Sequence, residues 1–174
     1  MRDKIIERWK ETKIKVNYDR AYKIAEINYR EFAKYPFLTD PLFLLAIQRK
    51  ESNFGTFNLS PTGARGIMQI MPLTGRFISP SLGVAYSDTV LSDDDLNIRL
   101  ASKYLEIMYA AYPNFQHILV GYNAGPSESI ERYKRNKKDL PSETAEYVPS
   151  VMKIWNDYKE QIKTYRADSS FTKR

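Results

Sequence analysis

The segment from Pro41 to Pro72, PLFLLAIQRKESNFGTFNLSPTGARGIMQIMP, limits the possible folds of this chain more than any other. Asp40-Pro41 is a helix start: Asp can cap the orphan backbone N–H groups, and Pro suits the first turn. Leu42 to Ile47 is apolar on nearly every face, so the pattern predicts a buried helix. Residues three and four apart share a face, which aligns Leu44, Ile47 and Glu51, with Phe43 beside them. Arg49 and Lys50 are expected to point elsewhere. A carboxyl at the end of an apolar stripe loses water, and desolvation disfavours its charged form. A carboxylic acid still protonated near neutrality can donate a proton to a leaving group. The plain alternative is an exposed, ionised Glu at a helix end, and the helix alone favours it. Beyond the helix, Ser60-Pro61 and Thr62-Gly63 are turn pairs. Gly66 removes a side chain just before Ile67-Met68-Gln69-Ile70-Met71. A Gln among apolar residues is costly to bury without a partner, so Gln69 is either satisfied structurally or kept for a polar ligand.

The flanking sequence reads as helices separated by short breaks. Asp3 to Val16 is amphipathic, with Ile5, Ile6, Trp9 and Val16 on one side. Tyr18, Tyr22, Ala25, Tyr29 and Phe32 recur at helical spacing and predict a second helix, open to continuity with the first. That stripe could stack on sugars, but packing against the domain is the expectation. Tyr35-Pro36 breaks it. Pro72 can start a short helix, Leu73 to Ile78, and Pro80 to Thr89 reads as a loop. In Ser92-Asp93-Asp94-Asp95 the spacing makes Ser92 the cap of the next helix, with the acids complementing its dipole. The run lacks the alternation and closing Glu of a calcium loop. Leu96, Leu100, Tyr104, Ile107 and Met108 form the expected inward face of a helix to about Tyr112.

Pro113-Asn114 turns the chain, and a helix from Phe115 ends at Tyr122-Asn123-Ala124-Gly125-Pro126. Gly125 frees the backbone to stop the helix. Taken alone, Tyr122 is a core aromatic and Asn123 a C-cap. Ser127 to Asn136 reads as another helix, and Lys137-Lys138-Asp139 as a surface loop. Glu143 and Tyr147 are four apart and share a helix face. Pro149 should kink or restart that helix. Val151, Ile154, Trp155 and Tyr158 pack a last helix to about Tyr165, and Ala167 to Arg174 reads as a frayed tail.

Three blocks in order carry a resemblance. Glu51-Ser52 with Ser60-Pro61-Thr62-Gly63-Ala64-Arg65-Gly66-Ile67-Met68-Gln69-Ile70-Met71-Pro72, then Tyr122-Asn123-Ala124-Gly125, then Glu143-Thr144 before Tyr147-Val148, resemble the soluble lytic transglycosylase catalytic domain. The resemblance implies an all-α, lysozyme-like domain over residues 37–166, with residues 1–36 as a helical extension packed on it and 167–174 as a flexible tail. It implies cleavage of peptidoglycan glycan strands. Glu51 would be the acid and then the base, with Tyr147 orienting it. Ser60 and Gln69 would hold the sugar, Met68 and Met71 would give soft apolar walls, and Tyr122 and Asn123 would line the opposite wall. Core packing is an equal reading for both Met residues. The helix of Asn97 to Leu105 would pack beneath the site without doing chemistry, and Ser52 would make a helix-end bond. A hydrolytic muramidase and an inactive glycan-binding wall component are the alternatives.

At 174 residues with no cysteine, the chain can build one sizeable core but no disulfide or thiolate site. His117 is the only histidine, so no zinc site, other metal or cofactor is expected. The formal charge of +6 attracts polyanions. It is concentrated at the ends: residues 1–36 carry 10 basic and 6 acidic groups, and 129–174 carry 11 and 7. No nucleic-acid motif accompanies it, so no nucleic-acid partner is expected. No apolar run approaches a membrane span, and the charged MRDKIIERWKETK is no signal peptide. The expected setting is therefore the cell envelope after loss of a leader or anchor, or a phage particle. A monomer is expected, with an envelope or phage protein as a candidate partner for the N-terminal helices.

Overall fold

In the computed structural model, which describes residues 1–55, 58–126, 128–136 and 139–171, with side chains to residue 164, the apolar run after Asp40 becomes the central helix. The helices in chain order are α1 (Arg2–Glu11), α2 (Tyr18–Lys34), α3 (Leu42–Ser52), α4 (Pro72–Ile78), α5 (Asp94–Ala111), α6 (Phe115–Ala124), α7 (Glu128–Arg135) and α8 (Ser142–Phe171). Among the described residues there is no strand, only isolated antiparallel bridges from Leu59 to Arg65 and from Arg65 to Ile70. The fold is all-α. Among the same residues, no helix is long and apolar enough to cross a membrane, and no cluster of His, Cys, Asp or Glu could hold a metal.

α3 is buried from Leu42 to Gln48 and lies along α8. Phe43 meets Phe115 and Trp155 edge-on, with ring centroids 4.8 and 5.0 Å away. Asp40 both starts α3 and ties it to α8. One carboxylate oxygen accepts from the Leu42 N–H (2.9 Å), and the other accepts from the Trp155 indole (2.8 Å). On the other side of α3, Gln48 and Asn28 of α2 exchange side-chain amide bonds of 2.8 and 3.0 Å. Both are fully buried, so the reciprocal pair satisfies groups that would otherwise be costly.

The first two helices differ from the sequence reading. α1 stops at Glu11 instead of reaching Val16. Lys13 takes a left-handed φ of 58°, and the Asn17 side chain accepts from the Arg20 N–H to cap a separate α2. Ile5, Ile6 and Trp9 are buried in the common core. Arg20 sits at the junction: it forks onto Asp94 (2.6 and 3.0 Å), donates to the Phe54 carbonyl (2.7 Å) and lies over the Trp9 ring. Of the stripe on α2, Phe32 packs against the core as expected, but the tyrosines do not. The buried face is Ala21, Ile24, Ile27, Asn28 and Glu31, while Tyr18, Tyr22 and Tyr29 point outward. Branched aliphatics fill the interior without needing partners for three hydroxyls.

Further along, Asp93 and not Ser92 caps α5. Asp93 is the extended residue, and its carboxylate accepts from the Leu96 N–H (2.8 Å). Ser92 ends a 3-10 turn, Asp88–Ser92, which with Ser79–Leu82 replaces much of the expected loop. Asp95 pairs with Arg30, as Asp94 does with Arg20. The inward face of α5 is set by Asn97, Ile98, Leu100, Ala101, Leu105 and Met108, while Ile107 is exposed. α8 runs through Pro149 without restarting and extends past Tyr165. Pro149 has no N–H for the Ala145 carbonyl, but Ala145 is exposed, so water can serve. Ser127, Lys137-Lys138 and the last three residues of the expected tail lie outside the described residues.

Candidate active site

Glu51 stands in the last turn of α3, and a sharp reversal of the chain makes that helix end one wall of a cleft. Asn53 and Phe54 both take left-handed φ (51° and 65°), folding the chain back. Fully buried Phe54 secures the reversal. The Ser52 hydroxyl donates to the Ile67 carbonyl (2.8 Å) and accepts from the Gly55 N–H (3.1 Å), stapling the helix end to the returning loop.

That loop is held from beneath by α5. The fully buried Asn97 amide accepts from the Met68 N–H (2.7 Å) and donates to the Arg65 and Leu91 carbonyls (3.1 and 2.9 Å). Gly66 has a φ of +80°, and a Cβ there would stand 2.2 Å from the Leu91 carbonyl oxygen and 2.6 Å from the Asn97 amide nitrogen, so only glycine fits. Gln69 is also left-handed (φ 48°), and its amide nitrogen donates to the Asn58 and Gly66 carbonyls (3.0 and 2.8 Å). Both amide hydrogens are thereby engaged, leaving its carbonyl oxygen as the group offered to a ligand.

The cleft so formed encloses about 380 Å3 and brings together Glu51, Ser60, Gln69, Met71, Tyr122, Asn123 and Tyr147. The Tyr147 hydroxyl, from α8, donates to Glu51 Oε1 (2.5 Å). From the end of α6, the Tyr122 hydroxyl donates to the Met68 carbonyl (2.7 Å), and the Asn123 side chain accepts from the Thr144 hydroxyl (2.7 Å). The Ser60 hydroxyl accepts from the Ala64 N–H and shares a hydrogen bond with Thr62, shaping the turn at the cleft rim. Met68 is placed apart from the others. Its side chain is fully buried in the core and does not line the cleft, while its backbone carbonyl anchors Tyr122.

Lys50, Thr62, Ala64 and Glu143 also line the cleft. Lys50 corrects the expectation that it points elsewhere: at the last turn of a helix a long side chain can reach round the end. Asn97 is the other residue that sequence reasoning underrated. Its signal was a lone amide between Leu96 and Ile98 on a helix otherwise read as packing.

Burial pushes the Glu51 carboxyl up to about 7, from an ordinary 4.5, and Glu143 adds to the rise. The Tyr147 hydrogen bond and the Lys50 ammonium oppose it. Desolvation, followed by the Glu51 charge, holds both Tyr122 and Tyr147 well above the usual phenol range, so each remains a donor. A half-protonated acid near neutrality, fixed by a phenol and facing polar groups, can give a proton and later take one back. A larger groove of about 560 Å3 lies on the opposite face of α8, near Met152, but no carboxylate among the described residues lines it, so size alone does not make it the reacting site.

An all-α domain with a desolvated acid at a helix end, opposite a loop pinned to a second helix, is a lysozyme-like domain. Residues 29–145 match the Transglycosylase SLT domain, and the chain belongs to that family. It is similar to the soluble lytic murein transglycosylase of Escherichia coli (strain K12), 36% identical over 87 residues, covering 48% of this chain and 14% of that protein. The Salmonella typhimurium protein of the same name is 27% identical over 149 residues, covering 76% and 23%. Among solved structures, the 70-kDa soluble lytic transglycosylase SLT70 of Escherichia coli matches with a TM-score of 0.70 and 26% identity, covering 79% of this chain and 24% of that one. An inactive Glu-to-Gln mutant of the lytic transglycosylase Slt from Pseudomonas aeruginosa matches with a TM-score of 0.66 and 27% identity over the same shares. The chain therefore spans 14% to 24% of the length of these relatives.

Proposed function

We propose that this domain is a lytic transglycosylase of peptidoglycan, cleaving the bond between N-acetylmuramic acid and N-acetylglucosamine without water. The observation that carries the reading is the Glu51 carboxyl, raised to about 7 in a polar cleft and held by Tyr147. Protonated Glu51 gives its proton to the glycosidic oxygen as the bond to C1 breaks. The substrate's own N-acetyl group stabilises the developing cation. Glu51, now a carboxylate, takes the proton of the muramoyl C6 hydroxyl as that oxygen closes onto C1, leaving a 1,6-anhydro end. One acid thus serves both steps, where ordinary glycoside hydrolysis uses two. Tyr147 orients Glu51, Gln69 offers its carbonyl to a sugar N–H or hydroxyl, and Ser60, Met71, Tyr122 and Asn123 shape the walls.

Family membership, the likeness to SLT70 and the names of the relatives support the reading. Residues 37–166 then form the catalytic domain, with 1–36 as a helical extension, and the site of action is the cell envelope. Glu51→Gln should abolish release of soluble fragments from purified peptidoglycan while leaving the circular-dichroism spectrum intact. Undiminished release would remove the assignment. Glu143 in the same cleft supports a second reading, hydrolysis with Glu143 activating water. Mass analysis separates the two, because anhydro products are lighter by one water.

A further inference from the structure

We propose that the outer face of α2 is a second glycan-binding site, separate from the Glu51 cleft, and the proposal rests on a glycan being the substrate. Tyr18, Tyr22 and Tyr29 are 62%, 62% and 61% exposed. At 3.6 residues per turn, spacings of four and seven put the three rings on one stripe, with Ala25 between the last two. Tyr22 and Tyr29 are about 10.5 Å apart along the axis, at 1.5 Å per residue. Ala25 has no bulk to fill the interval, and a groove of about 340 Å3 opens there.

Arg2 and Asp3 of α1, with Glu26 of α2, form the polar edge of that groove. Arg2 and Asp3 hold each other at 2.9 Å. Among the described residues, no protein group hydrogen-bonds the three tyrosine hydroxyls.

This arrangement matches a sugar ring. A pyranose has a face of C–H groups, which lie on an aromatic ring, and a rim of hydroxyls, which bond to carboxylates and guanidinium groups. A coiled-coil seam would carry Leu, Ile or Val at these positions. A strand held on α2 while another part enters the cleft would raise the local concentration of cleavable bonds.

The test is a two-dimensional amide NMR titration of the Glu51→Gln protein with a soluble β-1,4-linked oligomer of N-acetylglucosamine. Two sets of shifts are expected, one at the cleft and one across residues 22–29 and 2–3. In the same background, Tyr22→Ala with Tyr29→Ala should erase the second set and weaken retention on insoluble peptidoglycan about tenfold. Shifts confined to the cleft, unchanged retention, or burial of the stripe in a dimer seen by sedimentation would each overturn the proposal. Shifts on α2 without any at the cleft would uphold it and remove the reading of the cleft instead.

Discussion

Glu51 shows how a single position can be read from a sequence and where that reading stops. Its alignment with Leu44 and Ile47 allowed a desolvated carboxyl, yet the helix alone favoured an exposed one, and only the motif blocks turned the reading. Burial is the main cause of its rise to about 7. The opposing pull of Lys50 was not legible, because helix periodicity does not govern a long side chain at the final turn. Activity that needs the protonated acid should fall as pH rises through about 7, read from kcat/KM against pH. Tyr147→Phe removes a hydrogen bond that lowers this value, so the falling limb should move to higher pH while kcat drops. A limb that moves down would contradict the assigned contact. The same burial has a stability cost. The folded protein holds this proton more tightly than the unfolded chain, so stability declines as pH rises from about 4.5 to about 7. The loss is at most about 3 kcal/mol, since part of the side chain still meets water. Glu51→Gln escapes it, and urea titrations should find the variant more stable than wild type at pH about 8 but no longer so at pH about 4.

Among elements, the helices were legible and their joints were not. A start signal and an all-round apolar run located α3, one-face periodicity located α5, and the turn at Pro113-Asn114 located α6, each to within a few residues. The break between α1 and α2 turned on Lys13 and Asn17, and the start of α5 on a choice between neighbouring cap residues, Ser92 and Asp93. Such choices differ by little energy locally and are settled by packing. Met68 followed the core because its own N–H and the Arg65 carbonyl are tied to Asn97, which leaves Gln69 and Met71 to face the cleft. Asn97→Ala should leave several buried backbone groups without partners and cost about 2–4 kcal/mol. It should also lower kcat, since Met68 positions Tyr122. Gly66→Ala should be worse, because both its φ and its neighbours exclude a side chain. Thermal melts of the two variants, alongside initial rates, check this order.

For the whole molecule, composition and charge bounded the class, and the three sequence blocks indicated the architecture. What could not be read was which face of α2 turned inward. Both faces have helical spacing, and the interior accepted Ile24 and Ile27 over the tyrosines. The first helices are bound into the same core as α3 through Trp9, Arg20 and the Asn28–Gln48 pair. Trp9→Ala should therefore destabilise the entire domain by about 3–5 kcal/mol in one transition instead of loosening α1 alone. Separate melting of an N-terminal unit in calorimetry would count against this.

The Ser52 hydroxyl on the Ile67 carbonyl has one more effect. It sews the tail of the acid-bearing helix to the loop that carries Gln69, which holds the two walls of the cleft together. If the cleft takes a glycan strand as proposed, the strand must conform to a ready-cast mould, and a stiff oligomer should occupy it better than a supple one.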